Sequence, residues 1–361
     1  MILESLDISG FRNYESQHID LSGGTDIFFG KNAQGKTNIL EAICVCALTK
    51  SHKSSKDREM VHFGQEEAHI RGIVRQKGIP VRLDVHMRAG GKKSLAIDGQ
   101  RQKRAADYIG NLRVVFFSPE DLGIIKNGPS ERRRFMDIQL CQTDRTYLND
   151  LSAYNKLIAQ RTKLLEKIRE TPGYRTTLDI IDEQTIDYGS RVIRRRAEFL
   201  NEISIKASSL HMDLTSGREL LIMKYEPDVE VTDYAEKMRS NRERDIYSGR
   251  TNTGPHRDDI AVISNEQNLR KFGSQGQIRT AALSLKLAET EMVKDKGGEP
   301  PVLLLDDVLS ELDSERQRQL LSSIGDMQTL ITCTDIQNIK GHLEYKRSFR
   351  VEEGTVTIDT A

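Results

Sequence analysis

Gly30-Lys31-Asn32-Ala33-Gln34-Gly35-Lys36-Thr37 fits the pattern G-x-x-x-x-G-K-[ST], and its flanks decide how it is read. Thr25 to Phe29 before it reads as a strand, and Asn38 to Leu48 after it carries an apolar stripe at helical spacing. A glycine loop between strand and helix turns backbone N–H groups toward phosphate oxygens, its lysine neutralises the terminal phosphates and its hydroxyl holds Mg²⁺. Gly30, Lys31, Asn32, Ala33, Gln34, Gly35, Lys36, Thr37 and Asn38 are therefore the expected ATP-phosphate residues, with Thr37 on the metal. The alternative, a glycine turn with a solvent-facing lysine, does not account for the strand and helix around it.

The other half of such a site lies near the far end, in Leu303-Leu304-Leu305-Asp306-Asp307. Pro300-Pro301 ends a loop, and Val302 to Leu305 is the unbroken apolar run of a strand buried on both faces. Two carboxylates at its end repel each other unless a cation or a proton is shared there. Asp306 is the expected Mg²⁺ partner, and Asp307 the catalytic residue that orients or deprotonates an attacking water. Helix capping by the two aspartates is the plainer alternative. The long separation of the two halves implies an insertion.

Between them, Gly273-Ser274-Gln275-Gly276-Gln277 precedes an apolar face at Ile278, Ala281, Ala282, Leu285 and Ala288. Ser274 and Gln277 fit a capping box, while a serine and a glycine at a helix start also suit an anion. Ser310-Glu311-Leu312-Asp313 follows the acidic strand. This order resembles the ATP-binding-cassette (ABC) ATPases, in which the serine-glycine signature of one subunit caps the γ-phosphate held by another. By that resemblance Ser274, Gln275, Gly276 and Gln277 act in trans, and Ser310 and Asp313 belong to the loop after the acidic strand.

Longer motifs narrow the resemblance. Gly10 to Tyr14, Pro119 to Leu122 with Gly128 to Asp137, Gly254 to Asp259, and Asp306 to Asp313 are similar to those of the RecF family of bacterial recombination mediator ATPases. The resemblance implies an ATP-driven homodimer that binds duplex DNA near single-strand gaps. It further implies work with RecO and RecR in loading RecA on SSB-coated DNA, support of SOS induction, and a weak, DNA-stimulated ATPase acting as a switch. Departures exist: Asn127 replaces a usual glycine, which points to a residue tolerant of positive φ. Asp307 stands where transporters carry glutamate, so slow hydrolysis is expected, and Thr334 stands where many cassette ATPases place histidine. Ser118 to Asp121 is the candidate for the cassette glutamine loop.

The fold expected is α/β, an ABC-type P-loop ATPase head of mixed sheet with flanking helices (1–128 and 212–361) and an inserted α-helical arm (129–211). In the arm, Tyr147, Leu151, Tyr154, Ile158, Leu165 and Ile168 keep three-four spacing, Pro172-Gly173 breaks it, and a second helix runs over Thr177 to His211. Such helices reach about 35–50 Å at 1.5 Å per residue, a stub beside the arm of an SMC protein. After the arm, Leu220 to Tyr225 and Asp259 to Ile263 read as strands returning to the core.

At 361 residues and 37% hydrophobic the chain can bury a sizeable core in two lobes. With no bilayer-spanning apolar run and no signal-peptide pattern, a cytoplasmic location is expected. Cys44, Cys46, Cys141 and Cys333 lack metal-ligand spacing and read as reduced core thiols. The net charge is zero, yet residues 1–211 carry 34 Lys+Arg against 27 Asp+Glu (+7) and residues 212–361 carry 20 against 27 (−7). Basic clusters at Lys50, Lys53, Lys56 and Arg58, at Arg101 to Arg104, at Arg132 to Arg134 and at Arg194 to Arg196 suit a DNA face or merely a solvated one. Lys53, Lys56 and Arg58 are the candidate DNA contacts. Two other functions fit the motifs less well: a transporter-type subunit, which needs a surface for membrane-domain helices, and an SMC-like organiser, which needs a longer arm.

Overall fold

Along β4 (Glu67–Gln76) Ala68, Ile70, Gly72 and Val74 are buried and alternate with wetter neighbours, the pattern of a sheet with one face on a core. The computed structural model describes residues 1–53, 56–325, 327–338 and 344–359. They form two compact units, Met1–Asp121 with Lys286–Ala361, and Leu122–Leu285.

The first unit begins with β1 (Ile2–Phe11), β2 (Tyr14–Asp20), β3 (Thr25–Phe29) and α1 (Lys36–Leu48). After β4 come β5 (Ile79–Arg88), β6 (Ser94–Ile97), β7 (Gln100–Gln102) and β8 (Val114–Phe117). Its last part holds β12 (Val302–Asp306), α10 (Ser314–Ile324), β13 (Thr329–Cys333), β14 (Arg347–Glu352) and β15 (Thr355–Asp359). An antiparallel sheet runs in the order β2-β1-β4-β5-β6-β7. A second sheet runs β15-β14-β3-β13-β12-β8, parallel throughout except for β15.

One core joins both. Leu3, Leu6, Ile70 and Val85 of the antiparallel sheet pack in the same cluster as Ile39, Leu40 and Ile43 of α1 and as Phe28, Leu304, Leu330 and Phe349 of the parallel sheet. Burial of α1 is nearly all-round, which is why a helix without a strongly polar face fits there. The expected mixed sheet is thus two sheets with α1 in the core they share.

In the second unit a short α2 (Gly123–Lys126) leads to α3 (Pro129–Thr143), α4 (Arg145–Glu170) and α5 (Arg175–Leu214). Pro129 opens α3, where its missing N–H costs nothing, and the Asp144 carboxylate caps α4 by accepting from Tyr147 N at 2.9 Å. Then follow β9 (Leu221–Glu226), α6 (Tyr234–Ser240), α7 (Arg242–Ser248), β10 (Asp259–Ser264), β11 (Gln267–Asn268) and α8 (Leu269–Phe272). Helix α9 (Gln275–Gly297) begins in this unit.

This division differs from the expected arm of 129–211. The strands after the arm form a separate sheet, β11-β10-β9, and belong with the helices because buried arginines tie them there. Arg132 grips Asp259 through Nε at 2.6 Å, and Arg196 donates to Asp258 at 2.9 Å and to Pro255 O at 2.6 Å. The Tyr225 hydroxyl also donates to Asp258. Helix α5, with 40 residues, also exceeds the expected reach, at about 60 Å. Asn127 sits at φ −81°, so tolerance of positive φ is not why asparagine stands there; its carbonyl accepts from Arg132 at 2.8 Å.

Candidate phosphate-binding site

Strand β3 stops at Phe29, and the loop Gly30 to Gly35 delivers the chain into α1. Gly30 at φ +152° could not carry a side chain, because a Cβ would stand 2.4 Å from Val351 O of β14. Gly35 at φ +116° faces Asn13 and the Tyr14 hydroxyl equally closely. The glycines that the sequence pattern assigns to phosphate are thus also demanded by the scaffold. Ala33 takes φ +63°, a conformation costly for a residue with a Cβ.

Two hairpin turns, themselves in contact at Asn13 and Gly354, brace the loop. From the β1–β2 turn, Asn13 Nδ2 donates to Gln34 O at 2.9 Å, Tyr14 donates to Gly35 O at 3.1 Å, and Asn13 Oδ1 accepts from Asn38 Nδ2 at 2.8 Å. From the β14–β15 turn, Glu353 N donates to Gln34 Oε1 at 2.7 Å and Gly354 N to Gln34 O at 3.2 Å. These braces were missed in the sequence. Asn13 and Tyr14 do fall in one of the family-like motifs, but nothing in the spacing tells that their partner is the loop.

Lys36 is 4% exposed, and its ammonium donates to Gly30 O at 2.7 Å and Lys31 O at 3.0 Å. Thr37 Oγ1 donates to Asp306 Oδ1 at 2.8 Å, joining residues 269 apart in the chain. The parallel register makes this possible, since β12 and β3 flank β13 on either side and both end at the loop. A second hydroxyl, Thr332 Oγ1, donates to the same Asp306 oxygen at 2.8 Å and accepts from Asp307 N at 3.0 Å. Asp307 lies in the left-handed region at φ +52°. Cys333, beside Asp307 and Lys36, is half-buried; burial, then the Asp307 charge, push its thiol up to about 12, so it is a neutral wall of the site rather than a core thiol.

A Mg²⁺ ion fits these donors. The Thr37 hydroxyl spends its proton on Asp306 and keeps its lone pairs, and hard-oxygen sites of this kind take few protein ligands besides phosphates and water. Among the described residues there is no cluster of three or more His, Cys, Asp or Glu able to hold an ion. Cys44 and Cys46 are buried and in no disulfide, and burial raises Cys46 to about 12.

In the second unit, Ser274 and Gln277 do form a reciprocal capping box: Ser274 N donates to Gln277 Oε1 at 3.0 Å and Gln277 N to Ser274 Oγ at 3.2 Å. The Ser274 hydroxyl accepts in that bond and retains its own proton, so capping and anion binding are compatible. Ser274, Gln275 and Gly276 are exposed, and beyond Ser274 Oγ nothing stands within 4 Å of where a Gly276 Cβ would lie. After β12, Ser310 donates to Asp307 O at 2.7 Å and Asp313 caps α10, accepting from Arg316 N at 3.0 Å.

Ser118 to Asp121 follows β8, and Ser118 N donates to Asp121 Oδ2 at 2.7 Å. Asp121 lies 4.0 Å from the Lys286 ammonium, which is itself 2.6 Å from Glu289. Burial raises both carboxyls against the pull of Lys286, Glu289 to about 7.

Of the basic clusters, Lys53, Lys56 and Arg58 are exposed, and Lys56 lies 3.8 Å from Glu59. Lys93 reaches across from the β5–β6 hairpin to Asp57 at 2.8 Å and Thr49 O at 2.5 Å, tying that hairpin to the same loop. Arg132 and Arg196 are buried in ion pairs and cannot serve a partner. Arg133 donates to Asp258 O at 2.8 Å.

Residues 2–357 match the family model described as the RecF/RecN/SMC N terminal domain. The chain is 48% identical over 359 residues to the DNA replication and repair protein RecF of Agathobacter rectalis and 49% identical over 357 residues to that of Lachnoclostridium phytofermentans, covering 99% of each chain in both cases. It superposes on a structure described as the recombination mediator protein RecF-ATP in the RecFOR pathway with a TM-score of 0.93, at 34% identity, covering 99% of this chain and 98% of that one. An Smc head bound to the C-winged helix domain of ScpA matches at TM-score 0.58 and 16% identity over 99% of this chain and 97% of that one, a likeness of fold alone. The fold is thus the ABC-type ATPase head. Among the described residues, no helix is long and apolar enough to cross a membrane.

Proposed function

From the premise that this chain belongs to the RecF family, we propose that it is a cytoplasmic, ATP-dependent DNA-binding protein of recombinational repair and replication that works as a nucleotide-driven homodimer. The observation that carries this reading is the Thr37–Asp306 hydrogen bond of 2.8 Å beside a buried Lys36 whose ammonium, among the described residues, meets only backbone carbonyls. Gly30 to Asn38 hold the phosphates, Lys36 neutralises the terminal ones, and Thr37 with Asp306 holds Mg²⁺. When bound, the ion neutralises phosphate charge. Asp307 orients the attacking water, and its short side chain keeps hydrolysis slow, as suits a switch stimulated by DNA. The exposed Ser274-Gln275-Gly276-Gln277 turn of a second copy closes over the γ-phosphate, with Ser310 and Asp313 beside it.

Duplex DNA near single-strand gaps meets Lys53, Lys56 and Arg58, and the complex acts with RecR and RecO to load RecA, which supports SOS induction. The relatives' names and the superposition on a nucleotide-bound mediator support this reading. Sedimentation with ATP and duplex DNA tests it. A monomer without nucleotide should become a dimer with ATP and a larger complex when DNA is added; a monomer under all conditions overturns the reading. Over a salt series, Lys53→Ala with Lys56→Ala should flatten the dependence of log affinity on log salt by roughly 0.9 per lost phosphate contact. An unaltered slope moves the DNA face elsewhere.

A further inference from the structure

We infer that Thr332 is a positioning residue of the nucleotide site, setting Asp306 and Asp307 in register through one hydroxyl. Thr332 lies on β13 directly opposite Asp306 of β12 in the parallel ladder and is 1% exposed. Its oxygen accepts from Asp307 N at 3.0 Å, so its single proton is committed to Asp306 Oδ1 at 2.8 Å. That same carboxylate oxygen accepts from Thr37 Oγ1. Two hydroxyl donors on one oxygen fix the rotamer of Asp306 and leave its other oxygen for the cation or the cation's water.

The second partner matters as much. Asp307 sits at φ +52°, a sparsely used conformation that aspartate tolerates better than most residues, and the Thr332 hydroxyl takes its N–H at the point where the strand ends. A valine of the same shape removes both bonds while filling the same space. A serine keeps both.

This inference rests on the ATPase reading, and the test separates the two. Steady-state ATP hydrolysis and Mn²⁺ binding in the presence of nucleotide, followed by electron paramagnetic resonance, are measured on the full chain for the parent, Thr332→Val and Thr332→Ser. Thr332→Val should lose roughly 10- to 100-fold in kcat and in Mn²⁺ affinity, the range typical when an outer hydrogen-bond partner of a metal site is removed, while KM for ATP changes less than about threefold. Thr332→Ser should stay within about threefold of the parent in all three. If the parent neither binds nor hydrolyses ATP, the functional reading itself fails. If the parent is active and Thr332→Val keeps its kcat and Mn²⁺ affinity, or if serine is as impaired as valine, the role given to the hydroxyl is wrong. Circular dichroism and a thermal melt show whether Thr332→Val is folded; if it is not, Thr332→Ala, which also removes both bonds, is read in the same two assays and decides between the same outcomes.

Discussion

Lys36 in the first unit and Arg161 in the second are both sealed from solvent, 4% and 0% exposed, yet they are held in opposite ways. Arg161 on α4 donates to Asp182 at 2.6 Å, to Asp245 at 2.6 Å and to Thr251 Oγ1 at 2.9 Å. Lys36 has only two backbone carbonyls, and among the described residues no carboxylate lies within ion-pair distance of it. A buried cation pays for lost hydration unless an anion meets it. Arg161 has its charge met by two carboxylates, although its Nη2 has no hydrogen-bond partner among the described residues, whereas Lys36 has no carboxylate beside it. The difference separates a charge neutralised within the fold from one that, on the proposed function, is neutralised by phosphate.

Removing the neutralised cation should have the largest effect. Arg161→Met strands the Asp245 and Asp182 carboxylates and should cost about 3–5 kcal/mol in denaturant unfolding of the second unit, with ATP affinity of the folded protein unchanged. A loss below about 1 kcal/mol would show that the network is not what holds the helices.

The buried Lys286 stands between the two cases, facing two acids at once, Asp121 and Glu289. Glu289 is raised by burial from the ordinary 4.5 to about 7. Between those values the folded chain holds a proton that the unfolded chain has released, so stability falls as pH rises through the window. Glu289→Gln should flatten the melting temperature between about pH 4.5 and 7. An unchanged slope would assign the dependence to other groups.

Lys36→Met should weaken ATP binding by on the order of 100-fold, since the cradle loses its only interior positive side chain. The contrast with Arg161 sharpens in the apo protein, whose melting temperature should stay level or rise because an unpaired charge has been taken out of the interior. A clear drop in apo stability would mean that Lys36 also serves the fold. The smallest effect belongs to Ser274→Ala, about 1 kcal/mol from a lost helix cap, whereas Ser274→Arg should abolish dimerisation with ATP. Equal behaviour of the two variants in sedimentation would reduce Ser274 to its capping role.

The sequence read well where local rules act alone. Val302 to Leu305 and Thr25 to Phe29 are strands because nothing but burial on both faces suits such runs, and β3 and β12 lie close to those limits. The capping box at Ser274 was equally plain, being a four-residue device. The division into units was less legible. Leu221–Glu226 and Asp259–Ser264 look like any returning strands, and only the long-range grip of Arg132 and Arg196 on Asp258 and Asp259 shows which helices they join. Thr37 and Asp306, which the structure brings together, were singled out with Lys36 because a short pattern carries the proposed chemistry. Thr332 was not, since one threonine in the strand Thr329–Cys333 has no signature until Asp306 stands opposite it.

The bracing of the phosphate loop also sets a time order on the birth of the chain. Strand β3 leaves the ribosome early, but its two neighbours in the sheet, β13 and β14, begin at Thr329 and Arg347, and Gln34 is fastened to Glu353 and Gly354. The antiparallel sheet of the first 102 residues and the second unit, which is one continuous stretch, have all their pairing partners in hand long before that. Translation adds about 5–20 residues each second, so the loop waits several seconds at least for the strands that shape it. A chain that stops before β13 and β14 therefore has the glycine pattern but not the strands and turn that shape its loop.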